Sequence, residues 1–247
     1  MSFADHFSGV ARTYATARPT YPAGLYAFIA SQAPARDRAW DCATGNGQAA
    51  AGLARHFAAV EATDASAEQI ASASPHERVR YGVQPAEATD FGDASFDAVC
   101  VAQALHWFDV DAFHREVRRV LRPGGVVAIW GYDRLTVSPA FDVAYEQVVL
   151  PPLKGHWPKE NSRLWGAYAG VAFPYEPIEA PPFAIECGWT LRELLRYIGT
   201  WSATQRYIAA GNADFLERCE EALAPSWGPD PRRTVTMPLH FRCGRLA

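Results

Sequence analysis

An alternation of short apolar runs with segments of helical periodicity constrains this chain more than any other feature. Residues 96–102 read Phe-Asp-Ala-Val-Cys-Val-Ala, a nearly continuous apolar run typical of a strand covered on both faces. Residues 110–121 follow with apolar side chains at helical spacing, and a Pro-Gly-Gly break precedes another apolar run at 126–130. The same alternation places earlier strands and helices at 38–42, 48–57, 60–63, 67–74 and 79–83. This rhythm predicts an α/β fold with a mostly parallel sheet and helices on both faces.

The alternation stops after Tyr132. Residues 133–175 are rich in Pro, Gly and aromatic side chains, and we predict that they form a cap insertion in a single domain spanning residues 1–247. Two further strands are predicted at 183–187 and 234–243, with a helix near 191–198 between them. The late pair brings the predicted number of strands to seven.

Composition narrows the possible partners and the compartment. The net charge is −4 and no basic stripe is present, so we expect no nucleic acid partner. Neither a signal peptide nor an apolar run of the roughly 20 residues that span a bilayer occurs, so we expect no membrane partner. The five cysteines are odd in number and form no C-x-x-C pair. They predict free thiols in a cytoplasmic protein, and no metal site.

A glycine-rich turn after the first predicted strand carries the clearest functional signal. Residues 41–47 read Asp-Cys-Ala-Thr-Gly-Asn-Gly. Gly45 and Gly47 let the backbone approach a ligand closely, and the next helix offers free N–H groups and a partial positive charge. Asp64 ends the second predicted strand, where a carboxylate can accept both hydroxyls of a ribose. The pattern predicts a cofactor that contains a nucleoside.

Two cofactors fit this turn. The spacing Gly45-x-Gly47-x-x-Ala50 also satisfies the loose dinucleotide fingerprint, which leaves an NAD(P)- or FAD-dependent oxidoreductase as an alternative. Asp41 argues against it, because a carboxylate just before the turn repels a pyrophosphate. S-adenosyl-L-methionine instead carries a sulfonium and an ammonium beside which an acid is tolerable or helpful. Asp41 could also serve only to bond the amides of its own turn. A non-catalytic cofactor-binding module is the second alternative.

Several segments between residues 38 and 131 resemble, in order, the motifs of the class I S-adenosylmethionine-dependent methyltransferases. Residues 41–47 resemble the first motif, D-x-G-x-G-x-G, and residues 62–66 resemble the acidic ribose-binding motif. Residues 84–87 resemble the family's adenine-contacting segment. Residues 96–99 resemble the start of its fourth strand, and residues 121–125 resemble the turn before its fifth strand. Ala43 stands where the family usually has its first glycine, a mild departure if Ala43 keeps ordinary backbone dihedrals.

The resemblance implies a Rossmann-like seven-stranded sheet of order 3-2-1-4-5-7-6. Only the last strand is then antiparallel, and residues 239–243 are expected to form it. Residues 7–22 and 103–108 also resemble the type 11-like branch that includes trans-aconitate-type and other small-molecule methyltransferases. In that branch the N-terminal segment folds over the cofactor, which implies a helical lid over residues 1–30. Tyr14 and Arg18 would then reach the methionine end of the cofactor or the substrate. In the alternative interpretation, both residues only pack the N-terminal helix on the surface.

Carried over residue by residue, the resemblance implies a cofactor site. Its members are Tyr14, Arg18, Asp41, Ala43, Gly45, Gly47, Asp64, Ala65, Ala86, Glu87, Gln103, His106 and Trp107. The sulfonium already activates the methyl group, so the protein mainly holds donor and acceptor in line.

The acceptor site is less defined by the sequence. His106 follows the fourth strand and is the candidate catalytic base; pocket lining or a packed corner are the other readings. We expect a small-molecule methyl acceptor. Arg18 is the argument for a carboxylate, because its planar guanidinium pairs with carboxylates, although it could serve the cofactor's own carboxylate equally well.

Overall fold

A seven-stranded sheet forms the centre of the protein, and a computed structural model describes residues 19–246 of the chain. Its strands are β1 (Arg38–Cys42), β2 (Ala59–Asp64), β3 (Val79–Val83), β4 (Phe96–Ala102), β5 (Leu121–Gly131), β6 (Glu176–Ile178) and β9 (His240–Arg245). The order is β3-β2-β1-β4-β5-β9-β6. Strands β1 to β5 are parallel, whereas β9 is antiparallel to both β5 and β6. The predicted order and the predicted antiparallel last strand are confirmed.

One predicted strand takes a different place. The segment near 183–187 forms β7 (Ala184–Trp189), which pairs with β8 (Arg233–Pro238) in a separate two-stranded sheet. The expected strand at 234–243 is therefore split at Leu239 between β8 and β9. The outer position of the main sheet belongs to β6, whose middle residue is Pro177. A proline is tolerated there because an edge strand does not need every N–H for pairing.

Helices cover both faces of the sheet, as predicted. On one face α1 (Ala23–Gln32) and α2 (Gln48–Leu53) bury Leu25, Ile29 and Leu53. On the other, α4 (Val110–Val120) buries Phe113 and Val117. The short helix α3 (Ala67–Ala71) lies between β2 and β3, and a 3₁₀ turn, Leu105–Trp107, follows β4. Local signals set these boundaries, since Asp109 caps α4 by accepting the Ala112 N–H.

A third hydrophobic core, which we call the helical core, is built from elements that follow β5. Its helices are α5 (Pro139–Val148), α6 (Leu150–Leu153), α8 (Leu191–Gly199), α9 (Ser202–Ala209) and α10 (Phe215–Trp227). The short helix α7 (Asn161–Trp165) instead packs Leu164 into the core around α4. In the helical core, Phe141, Leu194, Ile198 and Leu223 pack at the centre with the two-stranded sheet of β7 and β8. Helix α8 begins at a capping box between Thr190 and Glu193. The predicted cap, residues 133–175, thus contributes α5, α6 and α7, and its status as a separate insertion stays a prediction.

The predicted lid over residues 1–30 is covered only in part. Residues 23–32 form α1, whereas Tyr14 and Arg18 lie outside the described residues. Within residues 19–246 no helix combines the length and apolar character that a membrane crossing requires.

Candidate active site

The turn after β1 holds three residues in left-handed backbone conformations. Gly45 has φ +58° and Gly47 has φ +86°. A Cβ added at Gly47 would lie 2.3 Å from the Tyr81 hydroxyl oxygen, whereas one at Gly45 would meet only Gln69 Oε1, at 3.8 Å. Space therefore remains beside Gly45. Ala43 has φ +54°, so the condition for a mild glycine replacement is not met, and this conformation costs an L-residue roughly 1–2 kcal/mol.

Asp64 fastens this turn to the next strand. At the carboxyl end of β2, its Oδ2 accepts the Gly45 N–H and its Oδ1 accepts the Ser66 N–H, both at 2.9 Å. Burial raises the pKa of this carboxyl, and the two hydrogen bonds oppose that shift. Each carboxylate oxygen has a second lone pair. The predicted ribose acceptor therefore also has a structural role.

Asp41 is fully buried below the turn. The Thr44 hydroxyl donates to its Oδ2, while Oδ1 has no hydrogen-bond partner within residues 19–246. Burial raises the pKa of Asp41 to about 7, and the charge of Asp64 adds to the shift. A buried acceptor without a partner is uncommon and calls for an explanation. Asp41 thus accepts a side-chain hydroxyl of its own turn and not the turn amides that one interpretation of the sequence expected, and its Oδ1 stays without a partner within residues 19–246.

Five residues of the predicted cofactor site lie together in a small cleft. Ala43, Ala65, Ala86, Glu87 and Trp107 all line it. The three alanines come from the turns after β1, β2 and β3, so the parallel sheet brings them to one edge. We call this site the small cleft.

A much larger cavity, of about 710 Å³, lies beyond the carboxyl ends of β4 and β5. Gln103 and Tyr132 form part of its floor. The Gln103 side chain donates from Nε2 to the Tyr132 carbonyl oxygen at 3.0 Å and accepts the Tyr132 N–H at 2.9 Å. Both polar atoms of the amide are thus engaged within the protein. Gln103 also has φ +55°, and we place it as a structural link between β4 and β5 that borders the cavity.

His106 lies in the wall of the large cavity with 4% of its surface exposed. Its Nδ1 lies 3.4 Å from the Tyr168 hydroxyl oxygen, and its ring centroid lies 5.1 Å from that of Trp107. Burial lowers the pKa of His106 to about 4; Glu160 opposes the shift and Arg163 adds to it. An efficient general base at neutral pH has a pKa near 7. Among the three readings, this environment favours pocket lining.

Four aromatic rings, which we call the aromatic wall, form one side of the large cavity. Trp165, Trp157, Trp201 and Tyr197 follow one another with centroid separations of 5.8, 5.6 and 5.7 Å. The predicted cap, residues 133–175, supplies Trp157 and Trp165. The sequence analysis missed Tyr197 and Trp201, which come from α8 and the start of α9. An aromatic residue at the end of a helix gives no sequence signal of the distant segment it will meet.

A carboxylate in the same cavity was also missed. Asp133 lines the cavity, and its Oδ1 lies 2.7 Å from His240 Nε2 on β9. These residues are far apart in the chain and meet only because β9 lies beside β5. Within residues 19–246, no three His, Cys, Asp or Glu side chains come together as a metal site requires.

A mostly parallel sheet with a reversed last strand, a glycine turn after β1 and an acid at the end of β2 are the features of a class I methyltransferase. The sequence model of a methyltransferase domain matches residues 40–129. A candidate methyltransferase of Dictyostelium discoideum is 30% identical over 229 residues, which cover 91% of this chain and 87% of that one. A solved structure of a candidate type II methyltransferase from Anaeromyxobacter dehalogenans is 41% identical, with a TM-score of 0.86 and coverage of 92% and 97%. The chain belongs to the class I S-adenosylmethionine-dependent methyltransferase family.

The family implies use of S-adenosylmethionine, and the protein is a methyltransferase. The [4+2]-cyclase SpnF has the same fold at 17% identity and a TM-score of 0.54, covering 96% of this chain and 94% of its own. The fold therefore accommodates more than one chemistry, and the substrate must be argued from the site. The trans-aconitate-type branch stays a prediction.

Proposed function

We propose that this enzyme transfers the methyl group of S-adenosylmethionine to a small-molecule acceptor in the large cavity, and that the acceptor group is a carboxylate. The observation that carries the proposal is the position of Trp107, which lines both the small cleft and the large cavity. A nucleoside in the cleft and an acceptor in the cavity would meet at this side chain. A cavity of this size suits a small ligand.

The residues of the cofactor half fit S-adenosylmethionine. Asp64 offers two oxygens for ribose hydroxyls, and the short side chains of Ala65 and Ala86 line the small cleft where a flat base would lie. The open space at Gly45 admits the methionine part. Asp41 keeps one oxygen without a partner within residues 19–246, and in its ionised form it would favour a cationic ligand over the pyrophosphate of a dinucleotide.

When bound, the cofactor supplies a methyl group on a positively charged sulfur that leaves as a neutral thioether. The chain's own residues then have to orient the acceptor and exclude water. A carboxylate acceptor needs no base, which agrees with a neutral, weakly basic His106. For an acceptor that must lose a proton, Asp133 is the carboxylate available in the cavity wall.

Calorimetric titration with S-adenosylmethionine, NAD⁺ and FAD tests the cofactor. We expect binding of S-adenosylmethionine alone; binding of a dinucleotide in its place would refute the proposal.

Gly45→Val fills the open space at the turn and should abolish S-adenosylmethionine binding. Gly124→Val is the matched control, because Gly124 has φ +74°, meets nothing within 4 Å and lies at the opposite edge of the sheet. Turnover is read as S-adenosylhomocysteine released with a panel of small carboxylic acids.

A further inference from the structure

The aromatic wall gives the large cavity a face that suits rings better than flexible chains. Neighbouring rings in the wall meet at 89°, 44° and 90°, so the wall combines two edge-to-face pairs with one tilted pair. Flat aromatic groups gain from both arrangements, through offset stacking and edge-to-face contacts. A short aliphatic acid would leave most of this surface without an apolar partner.

The charges around the cavity are strongly unequal. Among residues 19–246, Arg134, Lys154 and Arg206 line it, against a single carboxylate, Asp133, that lies 2.7 Å from His240 Nε2. Arg206 is held in place by a bond from Nη1 to the His156 carbonyl oxygen at 3.2 Å. Aromatic cages for quaternary ammonium groups rely on ring faces with no excess of positive charge, so a cationic acceptor is disfavoured here.

Together, rings and charges point to one class of acceptor, and this step rests on the function proposed above. We infer that the acceptor is a flat aromatic or conjugated acid. Its rings lie against Trp157 and Trp201 of the aromatic wall, and its anionic group is bound by Arg206 and Lys154. These four side chains are then the specificity determinants of the enzyme.

Equilibrium binding to the full chain, saturated with S-adenosylhomocysteine so that no turnover occurs, tests the inference. The probes are 2-naphthoate, its neutral amide, the aliphatic polyacid tricarballylate and the cation 2-naphthyltrimethylammonium. We expect 2-naphthoate to bind about tenfold or more tightly than each of the others, because hydrogen bonds to charged groups and ring contacts act together only for it. This comparison uses the unmodified protein and does not depend on any variant folding.

Variants then assign the two parts of the ligand to residues. Arg206→Gln should weaken 2-naphthoate about tenfold and leave the amide unchanged, and Arg206→Lys should restore part of the loss. Trp201→Leu should weaken acid and amide alike, by roughly three- to tenfold. Arg218→Gln is the control, since Arg218 lies on α10 in an exposed pair with Asp214 and does not line the cavity.

The outcomes separate the two proposals. If the amide, the cation or the polyacid binds as tightly as 2-naphthoate, or if no probe binds to the saturated protein, the substrate class is wrong while methyl transfer stands. If S-adenosylhomocysteine itself fails to bind, the proposed function fails, whatever the probes do. Equal losses of acid and amide affinity in Arg206→Gln would remove this residue from anion binding.

Discussion

Replacing Asp64 by alanine separates the structural role of this side chain from its proposed role in cofactor binding. The substitution removes the acceptor of the Gly45 and Ser66 N–H groups, each at 2.9 Å. A hydrogen bond to a charged group contributes about 1.5–3 kcal/mol. Because burial raises the pKa of Asp64, the charged carboxylate also costs folding free energy. The net loss in the free energy of unfolding should therefore be about 3 kcal/mol, the lower bound for two such hydrogen bonds.

The same substitution should weaken S-adenosylmethionine by roughly ten- to a hundredfold, since two ribose hydroxyls lose their charged acceptor. A matched control is needed because loosening the turn alone also lowers affinity. Asp97 provides one: it is fully buried and its Oδ2 accepts the Asp37 and Arg38 N–H groups, both at 2.9 Å. It lies at the amino end of β4, at the edge of the sheet opposite the site.

Urea denaturation and calorimetry on both variants decide the matter. Asp97→Ala should lose at least as much stability, because it also breaks a bond of 2.7 Å to Arg122. Under conditions where both proteins are folded, only Asp64→Ala should lose affinity for S-adenosylmethionine. Equal affinities of the two variants would refute the reasoning and place the ribose elsewhere.

The remaining predictions concern the turn and His106. Ala43→Gly should leave the free energy of unfolding unchanged or raise it by up to about 1 kcal/mol, because relief of the left-handed alanine offsets the added entropy of the unfolded chain; a loss of 1 kcal/mol or more in urea titrations would contradict this. Gly47→Ala should destabilise by more than about 2 kcal/mol, because its Cβ meets the Tyr81 hydroxyl, and Tyr81→Val should recover part of the loss in a double-mutant cycle. Since the pKa of His106 falls from 6.5 to about 4 on folding, the unfolded chain takes up a proton first. Stability should therefore drop as pH falls from 6.5 to 4, by up to about 3 kcal/mol, and His106→Gln should lack this part of the slope in denaturation at stepped pH.

The features that could be predicted from the sequence are those that depend on local residue patterns. The run at 96–102 is apolar on both faces because β4 is central, and it predicts that position directly. The glycines of the turn are recognisable because their backbone conformations depend on near neighbours. Asp64 is recognisable because it stands at the end of a strand that its own neighbours define. The order of the strands, in contrast, came from the family resemblance.

What sequence could not show depends on contacts between distant segments. Residues 176–178 form an edge strand of three residues with a proline, which carries no periodicity to detect. The left-handed conformation of Ala43 contradicts the ordinary preference of alanine, so tertiary context overrides the local signal. Trp201 and Arg206 reach the large cavity only because α9 packs beside α6, and neither helix reveals its partner.

Trp107 borders both the small cleft and the large cavity, and under the proposed function this shared side chain would link two binding equilibria. A nucleoside bound in the small cleft would fix one wall of the large cavity, and the affinity for the acceptor would then depend on whether the cleft is filled. Linkage makes the effect reciprocal: the factor by which one ligand changes the affinity for the other is the same in both directions. S-adenosylhomocysteine and S-adenosylmethionine differ by one methyl group and one charge, and this difference would reach the acceptor site through Trp107.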